Sequence, residues 1–398
     1  MNELTFPIVF MLAVVVAEGL VIAKTQKGTV SWQELVFNLN SGHIMLWLFR
    51  GLEIFCYGFV VTHYSFNLVE NWPTALVWVF AIFAWDFGFY WLHRLHHTYR
   101  VLWAVHVVHH QGEHYNLSLG VRNSWYSSLT SIPFFMLLAL MGIPLEVFIT
   151  VSILHYTIQF FNHSALIPRL GWLEKFMVTP QHHRVHHVKE GHYSNRNFGG
   201  SFIFWDKLFG TFSKLPETEH HFGIKGAPAS ENPFIDSNLP FWRIIKRRSQ
   251  PKAKPAPLFR VNQIALVMGT LLLFSLVIGY VYIYGYGYQG TTQQQVVLFI
   301  LLALGTVALS GISDGRKIGL MSWFFIACLL LICILFIWQW TTPFWVIFTS
   351  ALWLHSLLML LGIGRKPIQV RDVPWAAKAT RLPTPPWPSV PKSIEHGR

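Results

Sequence analysis

The stretch "FGFYWLHRLHHTYRVLWAVHVVHH", residues 87–110, places six histidines directly after the end of an apolar run. That run, "ALVWVFAIFAWDFGFYWL", is long enough to cross most of the hydrocarbon core of a bilayer as an α-helix. The sequence therefore predicts a membrane-spanning helix over about 74–92. Its end would carry a dense set of imidazoles out of the bilayer.

Composition places the whole chain among polytopic membrane proteins. The 398 residues are 53% hydrophobic and only 12% charged, and mean hydropathy is +0.41. The bilayer core contains no water to hydrogen-bond with backbone N–H and C=O groups, and an α-helix pairs these groups internally. Such a chain is therefore expected to be an all-α helix bundle. The net charge of +12 comes from Lys and Arg between the apolar runs and in the tail, which favours a basic membrane-facing surface over nucleic-acid binding. The three cysteines lie inside apolar segments and predict neither a disulfide framework nor a cysteine metal motif.

Seven apolar stretches have spanning length. They lie at about 5–23, 44–66, 74–92, 262–286, 295–312, 318–339 and 343–363. A further pair, 126–141 and 145–161, is joined by "MGIP" and predicts a tight hairpin that either spans or re-enters the membrane, which gives about nine spans. The first stretch lacks a basic leader and a small-residue cleavage site, so we expect a retained span rather than a signal peptide.

Lys and Arg are concentrated in alternate loops, and the loops between them contain neither residue. By the positive-inside rule, this pattern predicts an N-terminus outside and histidine-rich loops on the cytoplasmic side. We expect a first domain over 1–261, with a polar cytoplasmic cap at 162–261, and a four-span bundle over 262–364. The remainder, 365–398, is a basic, Pro-rich tail.

Fourteen of the twenty histidines lie between residues 93 and 192. Eight of them form three sets with spacings of three or four residues: His93 and His97; His106, His109 and His110; and His183, His186 and His187. Such spacings place imidazoles on one face of a helix. Three helices aimed at a common point would offer eight nitrogen ligands, enough for two metal ions.

Imidazole nitrogen suits iron, zinc, copper and nickel, so ligand type alone does not select the metal. Eight imidazoles beside a membrane, with few carboxylates among them, favour a dinuclear oxygen-activating centre for a lipid substrate over a four-ligand structural zinc site. His163, at the end of a predicted span, is a further candidate ligand. Five other histidines of this stretch do not fit the three patterned sets and are either extra ligands or ordinary core and interfacial residues: His96, His114, His155, His182 and His192.

The motifs resemble those of a known superfamily. "DFGFYWLHRLHH", "LWAVHVVHH" and "QHHRVHH" look like the histidine motifs of the fatty acid hydroxylase and sterol desaturase superfamily, whose members are membrane di-iron oxygenases. "HHQGEHYNLSLGVRNS" and "NRNFGGSFIFWDKLFGTF" are most similar to its alkylglycerol monooxygenase branch, and the resemblance extends over roughly 40–365.

The resemblance implies a site as well as an activity. It implies that the eight patterned histidines, with His163 as a ninth, bind two Fe ions. It also implies residues that orient the ligands: Asp86, Glu113, Asn116, Asn197 and Asp206. The implied reaction hydroxylates a lipid from the bilayer with O₂, at the carbon next to an ether oxygen, and so cleaves the ether lipid. Tetrahydrobiopterin, or another electron donor, would supply the electrons.

Three alternatives stay open at this point. The nearest keeps the chemistry but acts on a fatty acyl chain, a sterol or a carotenoid, by hydroxylation or desaturation. A metal transporter would place ionisable ligands near the membrane midplane, whereas these histidines lie at the predicted ends of spans. A zinc-dependent hydrolase would need fewer ligands and a nearby general base, for which Glu113 is the obvious candidate.

Overall fold

The structure is a computed structural model that describes residues 5–25, 30–41, 43–215, 221–224, 232–246, 257–285 and 292–367. Regular structure in these residues is almost entirely helical, so the predicted all-α class is confirmed. The helices are α1 Thr5–Thr25, α2 Trp32–Ser41, α3 His43–His63, α4 Thr74–Thr98, α5 Arg100–His110, α6 Ser127–Met141, α7 Leu145–Asn162, α8 Pro180–His187, α9 Gly191–Ser194, α10 Phe204–Leu208, α11 Pro233–Lys246, α12 Gln263–Tyr284, α13 Gln293–Ser313, α14 Lys317–Leu331 and α15 Pro343–Leu360.

Shorter elements complete the description. Two 3₁₀ turns cover Leu117–Val121 and Gly171–Lys175, and α14 continues as a π-helical segment over Ile332–Ile337. Two three-residue strands, β1 Phe259–Val261 and β2 Arg365–Pro367, pair in antiparallel register.

Seven helical stretches in the described residues are long and apolar enough to cross a membrane. They are Pro7–Thr25, Trp32–His63, Thr74–Thr98, Gln263–Tyr284, Gln293–Ser313, Lys317–Ile337 and Pro343–Leu360, one for each long apolar run in the sequence. The prediction of a polytopic integral membrane protein is therefore confirmed. The remaining hairpin is different: α6 has only 15 residues, and α7 carries His155, Gln159 and Asn162. Whether this hairpin spans or re-enters the membrane stays a prediction.

The hairpin of α6 and α7 is closed by the predicted turn at "MGIP". Gly142 adopts a left-handed conformation, with φ of +93°, and ends α6. A side chain at this position would also meet Ser65 Oγ at 2.9 Å, so glycine is favoured on two counts. The hydroxyl of Tyr57 on α3 donates to Ile143 O at 2.9 Å and fixes the turn against the neighbouring helix.

Aromatic stacking forms the core beneath the histidines. Trp85 on α4 stacks on Phe135 of α6 with ring centroids 4.3 Å apart, and Tyr57 stacks on Phe148 of α7 at 3.9 Å. All four side chains are at most 1% exposed. This packing fixes α4 and α7, the two long helices whose ends carry candidate ligands.

The chain divides into two compact units. One comprises Met1–Ala13, Ser31–Ile44 and Ser230–Ser389, and the other comprises Val14–Val30, Met45–Ala229 and Val390–Arg398. In the first unit α12, α13, α14 and α15 pack in a ring, each against the next. The proposed domain division at residue 261 stays a proposal, and the tail from 368 to 398 lies outside the described residues.

The histidine of the four-helix ring, His355, forms hydrogen bonds within this unit. His355 on α15 accepts a hydrogen bond from Trp323 Nε1 at 3.2 Å and donates to Ala265 O at 2.8 Å. Both ring nitrogens therefore have partners inside the unit. The second unit carries all the histidines of the predicted site, and the site is described from it alone.

Candidate metal centre

The structure gathers the nine predicted ligands into two groups. The first histidine group is His93, His97, His106, His110 and His186, and the second histidine group is His109, His163, His183 and His187. Within each group, one ring nitrogen from every residue lies within 4.8 Å of all the others. Each group could hold a metal ion.

Three helices, α4, α5 and α8, supply eight of these side chains, and His163 follows directly after α7. A break in the helical chain separates α4 from α5. α4 continues past its apolar run to Thr98, and Tyr99 then adopts an extended conformation, with φ −100° and ψ 127°, before α5 begins at Arg100. This break allows α5 to pack against α4. α8 begins at Pro180, and proline is favoured at the first helical position because it loses no hydrogen bond there. The preceding residue, Thr179, does not cap the helix with its side chain.

Backbone carbonyls fix the tautomer of four ligands. The Nδ1 atoms of these rings lie 2.8–3.0 Å from a carbonyl oxygen: His93 from Phe198, His109 from Arg122, His163 from Gln159 and His186 from Arg196. Since a carbonyl only accepts, Nδ1 must carry the proton in each case. The Nε2 atom of each ring is then a bare lone pair, as a metal ligand requires.

These lone pairs point at one another. In the second group, His163 Nε2 lies 3.1 Å from His109 Nε2, although neither atom has a proton to donate. In the first group, His93 Nε2 lies 3.0 Å from His106 Nε2, and the Nε2 atoms of His97 and His186 have no hydrogen-bond partner among the described residues. Lone pairs facing each other in a buried site repel, unless a cation lies between them.

The spacing also fits metal coordination. Metal–imidazole bonds of about 2.1 Å would separate two nitrogens by about 3.0 Å at a right angle and about 3.4 Å at a tetrahedral angle. The second group has Nε2 separations from His163 of 3.0 Å to His183, 3.1 Å to His109 and 3.3 Å to His187. An all-imidazole donor set suits first-row transition metals. The residues present therefore fit the metal ions that the sequence implied.

Burial keeps the ligands neutral. It lowers the pKa of His106, His110, His183 and His187 well below the ordinary range, and the neighbouring imidazoles lower it further. The pKa of His109 falls to about 4, mainly through burial, with a contribution from the charge of Arg122. At neutral pH each of these rings is thus uncharged and has one nitrogen without a proton, which is available to a metal.

Comparison with known proteins agrees with this geometry. Residues 78–211 match the family model described as fatty acid hydroxylase. This region includes all nine predicted ligands.

Curated proteins similar to this chain act on several lipids, by their names. Alkylglycerol monooxygenase of Homo sapiens is 40% identical over 198 residues, which are 50% of this chain and 43% of the relative. Ornithine lipid hydroxylase of Rhizobium tropici is 32% identical over 175 residues, 42% of this chain and 52% of the relative. A delta(7)-sterol 5(6)-desaturase of Gibberella zeae is 28% identical over 145 residues, 34% of this chain and 41% of the relative. The chain spans only about half the length of these relatives, or less, and no solved structure matches it.

Asp206 acts on a candidate ligand, His93, through the backbone. Its carboxylate accepts hydrogen bonds from Phe198 N and Gly199 N at 2.8 Å and from Thr211 Oγ1 at 2.7 Å. Phe198 supplies the carbonyl that holds His93, so Asp206 fixes that carbonyl. Burial raises the pKa of Asp206 to about 6, against the opposing effect of the three donors.

Asn197 holds the same loop. It adopts φ of +54°, its amide nitrogen donates to His182 O at 2.9 Å and Ser213 O at 2.8 Å, and its amide oxygen accepts from Ser213 N at 2.8 Å. Asparagine tolerates the left-handed conformation better than most residues. The loop that supplies the carbonyl partners of two ligands is therefore tied to the start of α8.

Asp86 does contact an imidazole, but not one in either group. It accepts hydrogen bonds from Ser201 N at 2.7 Å and Trp205 Nε1 at 3.0 Å, and its Oδ1 lies 3.0 Å from His155 Nδ1. His155 packs so closely on Gly200 that a Cβ there would lie 1.9 Å from its Cε1. Asp86 thus anchors the loop after Phe198, and His155 lies outside both histidine groups.

The other predicted residues also lie outside the two groups. Asn116 is buried and caps the turn Leu117–Val121, where its side chain accepts from Ser118 N at 3.0 Å. Glu113 is exposed. His96 is buried beside Thr130 Oγ1, at 3.0 Å, and its ring is 5.3 Å from that of His106. His182 lies near Thr179 and Phe212, and His192 is exposed and stacked on Tyr193.

The sequence did not point to two residues that support the second group. Arg122 is fully buried, and its guanidinium donates to Val108 O at 2.6 Å and Gln111 Oε1 at 3.1 Å, while its own carbonyl holds His109. Glu18, in the first apolar helix, accepts hydrogen bonds near His163. A lone carboxylate inside an apolar run is a usable sequence signal, whereas a carbonyl partner is not, since every residue has a carbonyl.

Proposed function

We propose that the chain is a membrane monooxygenase that uses O₂ to hydroxylate a C–H bond of a lipid, next to an ether oxygen. The observation that carries this proposal is the pair of facing lone pairs on His109 and His163, whose tautomers are fixed by carbonyls. A cation between the two nitrogens would remove this repulsion. Two such ions, one in each all-histidine group of the region that matches the fatty acid hydroxylase model, would suit a two-metal oxygenase.

The first group would hold one ion and the second group the other, and we propose iron for both. Bound iron would supply the activation of O₂, which the side chains cannot perform. The chain orients the ligands: four carbonyls hold Nε2 atoms inward. It also excludes water, because the ligands of the second group are all buried. His96, His155, His182 and His192 are assigned no metal in this proposal.

The reaction consumes one lipid C–H bond, O₂, two electrons and two protons. One oxygen atom enters the C–H bond and the other leaves as water. Hydroxylation of the carbon next to an ether oxygen gives a hemiacetal, which breaks into an aldehyde and a glycerol derivative. We propose tetrahydrobiopterin, or another two-electron donor, as the reductant.

The proposed setting follows from the helices that supply the ligands. α4 is a candidate membrane span that ends in His93 and His97, so a lipid chain could reach the site from the bilayer. The distribution of Lys and Arg between loops supports a cytoplasmic location for the site and an N-terminus outside. A reductant would then approach from the cytosol.

The test is product analysis with labelled oxygen. Protein purified and reconstituted in nanodiscs would be supplied with iron, a tetrahydropterin, a long-chain glycerol monoether and ¹⁸O₂. We expect a long-chain aldehyde with ¹⁸O in its carbonyl group, which is reduced in situ to the labelled alcohol before it exchanges oxygen with water. His192→Ala, which alters an exposed histidine outside both groups, is the control, and His163→Ala should be inactive. An inactive wild-type protein with full metal content would contradict the ether-lipid assignment.

A second candidate keeps the metal centre and changes the substrate. The ornithine lipid hydroxylase and sterol desaturase among the relatives favour a hydroxylase or desaturase of acyl chains, sterols or carotenoids. Offering total lipid extract in the same experiment separates these outcomes. Label in a hydroxylated acyl chain or sterol indicates hydroxylation, whereas a new double bond with label only in water indicates desaturation. Metal flux into liposomes, or one zinc ion and no iron, would instead favour the transporter or the hydrolase.

A further inference from the structure

Glu18 is an acidic residue inside an apolar, candidate membrane-spanning helix. It lies in "MLAVVVAEGLVIA" of α1, and it is only 5% exposed. A carboxylate in such a place is costly unless hydrogen bonds compensate it. The partners of Glu18 therefore indicate what the residue does.

Three donors from two separate segments converge on this carboxylate. Oε2 accepts from Leu117 N at 2.5 Å, and Oε1 accepts from Ser164 Oγ at 2.6 Å and Ala165 N at 2.9 Å. Leu117 is the first residue of the 3₁₀ turn Leu117–Val121, and Ser164 directly follows His163. One side chain of α1 thus joins these two segments.

Both segments bear on the second histidine group. The 3₁₀ turn packs on the ring of His163, since a Cβ at Gly120 would lie 2.9 Å from its Nδ1. The turn then leads to Arg122, whose carbonyl accepts from His109 Nδ1 at 3.0 Å. The other segment is the chain that leaves His163. Two of the four rings of the group are therefore held by segments that Glu18 ties together.

The first histidine group is held by other residues. The carbonyls of Phe198 and Arg196 fix His93 and His186, and Asp206 fixes Phe198. No hydrogen bond in the described part of the chain joins Glu18 to that loop. Removal of Glu18 should therefore act on one metal position and not on the other.

We propose that Glu18 is a positioning residue for the second histidine group, and that α1 is thereby a part of the metal centre and not only an anchor. The inference rests on the proposed function, because it takes the second group to bind a metal ion. A purely structural Glu18 would stabilise the whole unit, and its loss would affect both groups alike.

The experiment is Mössbauer spectroscopy of full-length protein in nanodiscs loaded anaerobically with ⁵⁷Fe(II), together with iron analysis. Glu18→Ala removes all three contacts, and Glu18→Gln keeps one acceptor oxygen but turns an amide donor toward an N–H group. Glu146→Gln, on an exposed acid at the start of α7, is the matched control. His97→Ala, in the first group, identifies the signal of that group.

We expect two iron environments of equal area in the wild-type protein. His97→Ala should keep only the iron signal of the second group. In Glu18→Ala that same signal should be shifted or lost, and iron per chain should fall by up to half. Glu18→Gln should show a smaller change of the same signal, and Glu146→Gln none. Gly120→Ala, which leaves Glu18 in place but crowds His163, should reproduce the selective change.

Two outcomes would overturn the inference alone. Wild-type protein with two iron environments and an unchanged Glu18→Ala spectrum would show that the carboxylate does not position the group. Equal loss of both signals, with a lower unfolding temperature, would assign Glu18 a general structural role. Wild-type protein that binds no metal would overturn the proposed function, and this inference with it.

Discussion

Replacement of Asp206 by asparagine should weaken both the fold and the first metal position. The carboxylate receives hydrogen bonds from Phe198 N, Gly199 N and Thr211 Oγ1 at 2.7–2.8 Å, and it is fully buried. Asparagine has the same shape but only one acceptor oxygen. With that oxygen in the Oδ1 position, the amide nitrogen would face Gly199 N, donor against donor.

The magnitude follows from these contacts. One hydrogen bond to a charged acceptor is worth about 1.5–3 kcal/mol, and a buried donor left without a partner costs about 1–3 kcal/mol. One lost bond and two weakened ones therefore lower the free energy of unfolding by about 3 kcal/mol. The Phe198 carbonyl, which lies 2.9 Å from His93 Nδ1, would be less well fixed. Removing such an outer partner of a ligand typically lowers metal affinity about 10–100-fold.

Competition with a chelator of known affinity would measure the loss at the first position, and thermal unfolding in nanodiscs would measure the loss of stability. Glu190→Gln, on an exposed acid near the end of α8, is the control and should leave both quantities unchanged. If Asp206→Asn bound metal as tightly as the wild type while its stability fell, the link from the carboxylate through Phe198 to His93 would be refuted.

Three further predictions concern single residues of the same unit. His109→Ala should lose the metal of the second group and all turnover while the protein still inserts, whereas His192→Ala should keep both, as metal analysis would show. Gly200→Ala should prevent normal accumulation or lower the unfolding temperature, because its Cβ would lie 1.9 Å from the buried imidazole on α7; Gly88→Ala, with its nearest contact at 3.5 Å, should be tolerated. In metal-free protein, burial raises the pKa of Asp206 to about 6, above its unfolded value. The part of its stabilising contribution that depends on protonation is therefore present below the unfolded pKa and is lost as pH rises through 6, whereas the hydrogen bonds to the ionised group remain. The stability difference between wild type and Asp206→Asn should therefore shrink from pH 5 to pH 8 in denaturation experiments.

Helical periodicity predicts which histidines share a helix face but not how they divide between the two groups. On an α-helix, residues four apart differ by about 40° in direction, whereas immediate neighbours differ by about 100°. The pairs His93 and His97, His106 and His110, and His183 and His187 accordingly stay together. His109 and His186 each join the group of another helix. This division depends on how α5 and α8 pack, which spacing alone does not specify.

For the membrane helices, too, the sequence pattern predicts some features and leaves others open. Long runs such as that of α4 were identified because hydropathy and length both exceed what a soluble helix needs. The hairpin of α6 and α7 was ambiguous because one face of α7 is polar: Ser152, His155 and Gln159 follow each other at three and four residues. Those residues face protein and not lipid, as their burial shows. Hydropathy averaged over a sequence window does not distinguish a helix with one polar face from a helix that is polar on all sides.

Asp86 illustrates what a helical offset can and cannot predict. It lies seven residues before His93, nearly two turns away, and was expected to fix the tautomer of an imidazole. It does bind an imidazole, that of His155 on α7, because packing of α4 against α7 brings that ring within 3.0 Å. The residue type was informative, but its partner is set by the neighbouring helix.

Among the described residues, Asp206 and Glu18 lie near the histidine groups without contacting a candidate ligand directly. A carboxylate on Nδ1 would raise the pKa of the imidazole and favour the protonated ring, which competes with metal binding. In this chain the carbonyls of Phe198 and Arg122 accept from His93 and His109 instead, which fixes the tautomer without adding charge. Asp206 and Glu18 act one step further out, on backbone N–H groups beside those carbonyls or rings. The candidate ligands thus remain neutral, and both carboxyl groups hold the backbone around them without contacting the imidazoles.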